Sequence, residues 1–120
     1  MVRRVTAGVV DVCCVLVFVL IGRASHEEAA SLGGFATTAW PFLVGLALGW
    51  GVTRAWREPF GLLPVGVGIW VMTVAAGMVL RALSGQGTAV AFIVVATVFT
   101  GVTLLGWRLV ARRSRAGLSA

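Results

Sequence analysis

Apolar positions in this chain gather into four long runs, each broken from the next by a short polar or glycine-rich stretch. The runs predict helices over about residues 5–22, 39–56, 62–83 and 88–110. From Val5 to Gly22 every residue except Thr6 and Asp11 is apolar or small. About 20 such residues in helical form cross the ~30 Å hydrocarbon core of a bilayer. In the second run Thr37 or Thr38 reads as the cap, with Pro41 in the first turn and Gly45-x-x-x-Gly49 behind it. The stretch from Arg23 to Thr38 reads as the longest loop. Ser25 and Glu28 within it have capping-box spacing, which predicts a short interfacial helix ended by Gly33-Gly34. Arg57-Glu58-Pro59-Phe60-Gly61 and Ser84-Gly85-Gln86-Gly87 read as turns. The fold expected is all-α: a polytopic membrane protein, an antiparallel four-transmembrane-helix bundle, with residues 1–120 as a single membrane domain and 111–120 as a basic tail.

Composition sharpens this picture. The chain is 59% hydrophobic and 12% charged, with mean hydropathy +1.01, which excludes a soluble monomeric domain. A net charge of +6 can signal nucleic acid, but the arginines flank apolar runs and read as topology signals facing headgroups. With the N-terminus cytoplasmic, Arg3, Arg4, Arg54, Arg57, Arg108, Arg112, Arg113 and Arg115 lie inside, and only Arg23 and Arg81 outside. That bias predicts cytoplasmic N- and C-termini and opposes dual topology. Met1-Val2-Arg3-Arg4 before an apolar run imitates a signal peptide; Asp11 and the later runs favour a retained helix. Cys13 and Cys14 are neighbours that point about 100° apart on a helix, so they read as packing residues rather than a disulfide or metal site.

Helices associate in lipid through close packing and buried polar contacts, so small residues should mark the interior. On the first span Ala7, Gly8, Cys14 and Gly22 share a face with Asp11. On the third, Gly66, Trp70, Thr73, Gly77 and Arg81 form one stripe, and on the fourth Thr97, Gly101, Leu104 and Arg108 form another. Val, Leu, Ile and Phe are left for lipid. Asp11 is costly inside a membrane and needs a partner, a proton or water. Thr103, Arg54 and Arg108 are its candidate partners, either in a structural pair or at an ion-coupling site. Trp40 is expected at the outer interface, Trp56 and Trp107 at the inner one, and Trp50 and Trp70 deeper. Arg23, His26, Glu27, Glu28 and Arg81 form a candidate outer-face cluster, read as a salt-bridge network rather than a metal site. No catalytic triad, phosphate loop, cofactor motif or catalytic carboxylate pair is present, so no enzyme activity and no cofactor are expected.

Several stretches together resemble the DUF3054 family. They are Asp11, Gly22-Arg23-Ala24-Ser25-His26, Pro41-Phe42-Leu43-Val44-Gly45 with Gly49-Trp50, Trp70-x-x-Thr73, Gly77-Met78-x-Leu80-Arg81, Gly85-x-Gly87 and Gly106-Trp107-Arg108. The resemblance implies a small bacterial protein of the plasma membrane, singles out Asp11, Arg23, His26 and Arg81, and supplies no substrate. Small multidrug exporters and fluoride channels offer analogies of size, but the long first loop and the charge bias depart from both. Two functions stay open. One is a structural or accessory module that docks on another membrane protein or on its own copies. The other is a small ion- or proton-coupled transporter or channel using Asp11. A continuous polar path from Asp11 to the outer cluster would separate them.

Overall fold

The first apolar run forms one uninterrupted helix, α1 (Val2–Ser25), with no proline to break it. The computed structural model describes residues 2–25 and 32–119; His26, Glu27 and Glu28 lie outside the described residues. Three more helices follow: α2 (Leu32–Thr53), α3 (Val67–Leu83) and α4 (Val90–Ser119). A 3₁₀ turn (Ala55–Arg57) and a π-type turn (Leu62–Gly66) join α2 to α3. The segments Val2–Arg23, Gly33–Thr53, Leu62–Leu83 and Val90–Ser114 are each long and apolar enough to cross a membrane. The protein is thus an all-α, polytopic four-helix membrane bundle, with no strand among the described residues.

The second helix departs from expectation. It begins at Leu32, so Pro41 sits in its interior and Gly33-Gly34 lie in its first turn; the short interfacial helix expected before them falls outside the described residues. A proline cannot donate to the carbonyl four residues back. That carbonyl, on Thr37, instead accepts a 3.1 Å bond from Gln86 Nε2 of the α3–α4 turn. A tertiary donor therefore replaces the missing helical one, and the helix continues across the proline. Thr37 and Thr38 do not cap: their hydroxyls donate back to the carbonyls of Gly33 and Gly34. At the other end Arg54 turns left-handed (φ 53°, ψ 50°) and closes α2 earlier than the predicted 56.

Two further boundaries differ. Leu63 is extended (φ −131°, ψ 126°), as the residue before a proline prefers, so the regular part of the third span begins at Val67. The basic tail continues α4 to Ser119. At 1.5 Å per residue its 30 residues reach ~45 Å, beyond the ~30 Å that hydrocarbon requires. Gly85, at φ 82°, makes the expected tight turn after α3.

Small residues set the closest approach. A Cβ on Gly45 would stand 2.8 Å from the Thr73 carbonyl, and one on Gly49 would stand 2.9 Å from Ile69 Cα. The α2 and α3 backbones touch there, as the Gly45-x-x-x-Gly49 spacing allows. Gly77 receives the Phe42 ring and Gly101 the Trp70 indole. The large apolar residues do not all face lipid, however. Phe18, Phe42, Phe92 and Phe99 meet inside, with Phe18–Phe42 edge-to-face at 5.4 Å and Phe18–Phe99 at 5.7 Å. On α1 the inward face is Ala7, Asp11, Val15, Phe18 and Val19; Cys14 and Gly22 are only half-buried. Gly77 of α3 opens the room that the Phe42 ring fills.

Gly45→Leu and Gly77→Leu should each destabilise the bundle by about 1–3 kcal/mol or more, since neither backbone nor ring can withdraw freely. Gly51→Leu, where a Cβ meets nothing within 4 Å, should be nearly neutral. Thermal unfolding in detergent compares the three; equal behaviour would contradict the packing.

Candidate functional site

Asp11 is fully buried, and so is the residue it faces, Arg108 of α4. Their contact is bidentate: Nη1 donates to Oδ1 at 2.8 Å and Nη2 to Oδ2 at 2.7 Å. The planar guanidinium matches a carboxylate in this fork, which a lysine would not. Two indoles complete the shell. Trp50 Nε1 donates to Oδ2 and Trp107 Nε1 to Oδ1, both at 2.8 Å. Each carboxylate oxygen thus accepts two hydrogen bonds, one from a cation and one from an indole.

The far side of Arg108 is equally engaged. Its Nε donates to the Pro59 carbonyl and its Nη1 also to Leu104 O, each at 3.1 Å. The Asp11 site consequently joins α1, α2, α4 and the α2–α3 turn. An aromatic stack supports it: Phe60 meets Trp107 edge-to-face at 5.3 Å, and the Arg3 guanidinium lies 4.9 Å from the Phe60 ring centre. No buried side-chain nitrogen or oxygen among the described residues lacks a hydrogen-bond partner. A buried ion pair gains from Coulomb attraction only when its other lone pairs and protons are satisfied. Here they are.

Of the expected partners, Arg108 alone holds Asp11. Arg54 is exposed at its left-handed turn and makes no bond to Asp11. Thr103 turns its hydroxyl back to the Phe99 and Thr100 carbonyls of its own helix. Trp107, expected at the inner interface, points its N–H at the buried acid. Neither Trp50 nor Trp107 was legible as an Asp11 donor, although Trp50 falls one helical turn beyond Leu46 on an inward face.

The Arg23 end of the bundle carries a separate polar group. Arg23 Nη1 donates to Thr38 Oγ1 at 3.0 Å. Arg81 donates from Nε to Gly87 O at 2.9 Å and from Nη1 to Gln86 Oε1 at 3.0 Å, with its guanidinium 4.3 Å from the Phe92 ring centre. Arg81 thus fastens the α3–α4 turn, and Gln86 passes the link on to Thr37. The expected contributions of His26, Glu27 and Glu28 fall outside the described residues. No group of three or more metal-ligand residues occurs among the described ones.

Between the two polar ends the bundle is apolar. Val15, Phe18, Phe42, Leu46, Ile69, Ala96 and Leu104 are buried there. The hydroxyls of Thr73, Thr97 and Thr100, the residues available for a polar route, donate to carbonyls of their own helices.

These features define a four-helix membrane protein with a buried acid–arginine–indole centre. The DUF3054 family, described as a protein of unknown function, matches residues 8–111 of the 120, and the chain belongs to that family. No curated protein and no solved structure matches it.

If the indoles carry the contact, Trp50→Phe and Trp107→Phe should each lower stability by about 1–2 kcal/mol, because a buried charge-assisted bond is lost. Trp56→Phe, at a residue 43% exposed, should stay within about 0.5 kcal/mol. Unfolding in bicelles separates these outcomes, and equal losses at all three positions would contradict the site.

Proposed function

We propose that this protein is a non-catalytic structural or accessory module of the bacterial plasma membrane, with both termini cytoplasmic. It docks on another membrane protein or on copies of itself and has no nucleic-acid partner. The observation that carries this reading is the saturation of Asp11 by Arg108, Trp50 and Trp107. An ion-coupling carboxylate must exchange a proton or ion with a pathway, as intramembrane acids of transporters do. This one has each oxygen held by two donors, an indole N–H and one arm of the Arg108 guanidinium.

The apolar segment between the two ends supports the same reading. Phe18, Phe42, Phe92 and Phe99 close the route from Asp11 toward Arg23 and Arg81, and the threonines beside them are turned to their own backbones. Burying such a site also has a structural return, since removing either charge alone would strand the other in a low-dielectric core.

Proteoliposomes containing the full chain should pass no more protons than protein-free vesicles under a pH gradient. Asp11→Asn should leave that baseline unchanged. A pH-dependent flux in the wild type that vanishes in Asp11→Asn would overturn the proposal in favour of ion coupling.

A further inference from the structure

Six exposed arginines gather at the Asp11 end of the bundle: Arg3, Arg4, Arg54, Arg57, Arg112 and Arg113. The contacts of Asp11 fix their common depth. α1 and α4 run antiparallel, with Phe18 meeting Phe92 and Asp11 meeting Arg108. Counted from that ion pair, Arg4 lies seven residues back along α1, ~10 Å, and Arg112 four residues on along α4, ~6 Å. Arg54 likewise follows Trp50, the α2 donor to Asp11, by four residues. The 22 residues of the Val2–Arg23 span reach ~33 Å, close to the ~30 Å of hydrocarbon, which puts Arg3 and Arg4 at its edge. Trp56, 43% exposed, stands between Arg54 and Arg57, and an exposed indole prefers the headgroup level.

Among the described residues these charges have no counterpart. The guanidiniums of Arg4, Arg54, Arg57, Arg112 and Arg113 make no hydrogen bond, ion pair or ring contact there, and that of Arg3 lies over the Phe60 ring. Of the chain's four acids, Asp11 is committed to Arg108, and Glu27 and Glu28 follow the other end of α1. Glu58 alone stands here, exposed and in no ion pair. Arg3 and Arg4 also oppose the dipole of α1, whose first turn holds no acid. A topology signal requires only that arginines lie on one side of the membrane. It does not require unpaired guanidiniums at one depth on α1, on the α2–α3 connection and on α4. An anionic surface outside the chain compensates all of them together. Their depth selects that surface, because hydrocarbon ends at this level and phosphates begin. Guanidinium N–H arrays match phosphate oxygens, and basic clusters beside transmembrane helices attract anionic headgroups.

We propose that this end of the bundle is a binding surface for anionic phospholipid headgroups, which take the free guanidiniums of Arg4, Arg54, Arg57, Arg112 and Arg113. The surface gathers anionic lipid around the bundle, and it stands independently of the accessory role argued above.

The test uses the full chain, purified from mixed micelles of equimolar phosphatidylglycerol and phosphatidylcholine, with the retained lipid counted by mass spectrometry. The wild type should retain phosphatidylglycerol about fivefold over phosphatidylcholine, the effect of one guanidinium per headgroup. That preference should fall toward unity as salt rises from about 0.1 M to about 1 M, where the screening length shortens to about 3 Å. Arg4→Gln, Arg54→Gln, Arg57→Gln, Arg112→Gln and Arg113→Gln combined should abolish the preference. Their lipid-free melting temperature should not fall, because these guanidiniums hold nothing in the fold. Lys at the same positions should keep the preference, since the charge remains. Arg23→Gln, at the opposite end, should keep it too. Equal retention of the two lipids by the wild type, or a preference indifferent to salt, would overturn the proposal. So would a preference that survives the combined Gln changes, vanishes with Lys, or is lost in Arg23→Gln. Capture of a polyglutamate peptide by a wild type with no lipid preference would overturn it in favour of an acidic protein segment.

Discussion

The constraint on which this bundle depends is a carboxylate placed where hydrocarbon surrounds it. Asp11 has to be neutralised and hydrogen-bonded inside the protein, and the helices take positions that allow it. Arg108 supplies the charge from α4, Trp50 a donor from α2 and Trp107 another from α4. Through Pro59 the same arginine fixes the turn that carries the chain into α3. A membrane interior offers little hydrophobic drive for helices to associate, so a shared polar partner specifies register in a way that apolar surfaces cannot. The pair is better regarded as a specifier of arrangement than as a large net source of stability.

Around this centre, packing follows from size. Gly45 and Gly49 bring α2 against α3, and the glycines at 77 and 101 accept the rings of Phe42 and Trp70. The aromatic cluster then fills the middle of the bundle and separates the acid–arginine centre from the Arg23 and Arg81 end. Among the described residues, two polar ends thus flank an apolar middle.

Much of this architecture was legible in the sequence, for identifiable reasons. Four runs of sufficient length admit four spans, and an acid in a span demands a buried partner, which placed Arg108 among three candidates. The errors come from signals with two meanings. Pro41 suggested a helix start because proline suits a first turn, but Gln86, distant in sequence, satisfies the carbonyl it frees. Trp107 was read only for its interface preference, which left unread that the same N–H donates to a buried carboxylate. Phenylalanines were assigned to lipid because they are apolar, but Phe42 turns inward onto the space that Gly77 leaves on α3 and meets the rings of Phe18 and Phe92. Thr103 had the right depth, yet a threonine hydroxyl finds a nearer acceptor in its own helix.

The most direct test of the central claim is a double-mutant cycle between Asp11→Leu and Arg108→Met, measured as unfolding free energy in bicelles. Each single variant should lose about 3–5 kcal/mol, because it strands a buried charge. The double variant, with no charge left to strand, should lose clearly less than the sum of the two and less than the more damaging single change. Losses that simply add would contradict the account, since they would mean that the two residues do not depend on each other.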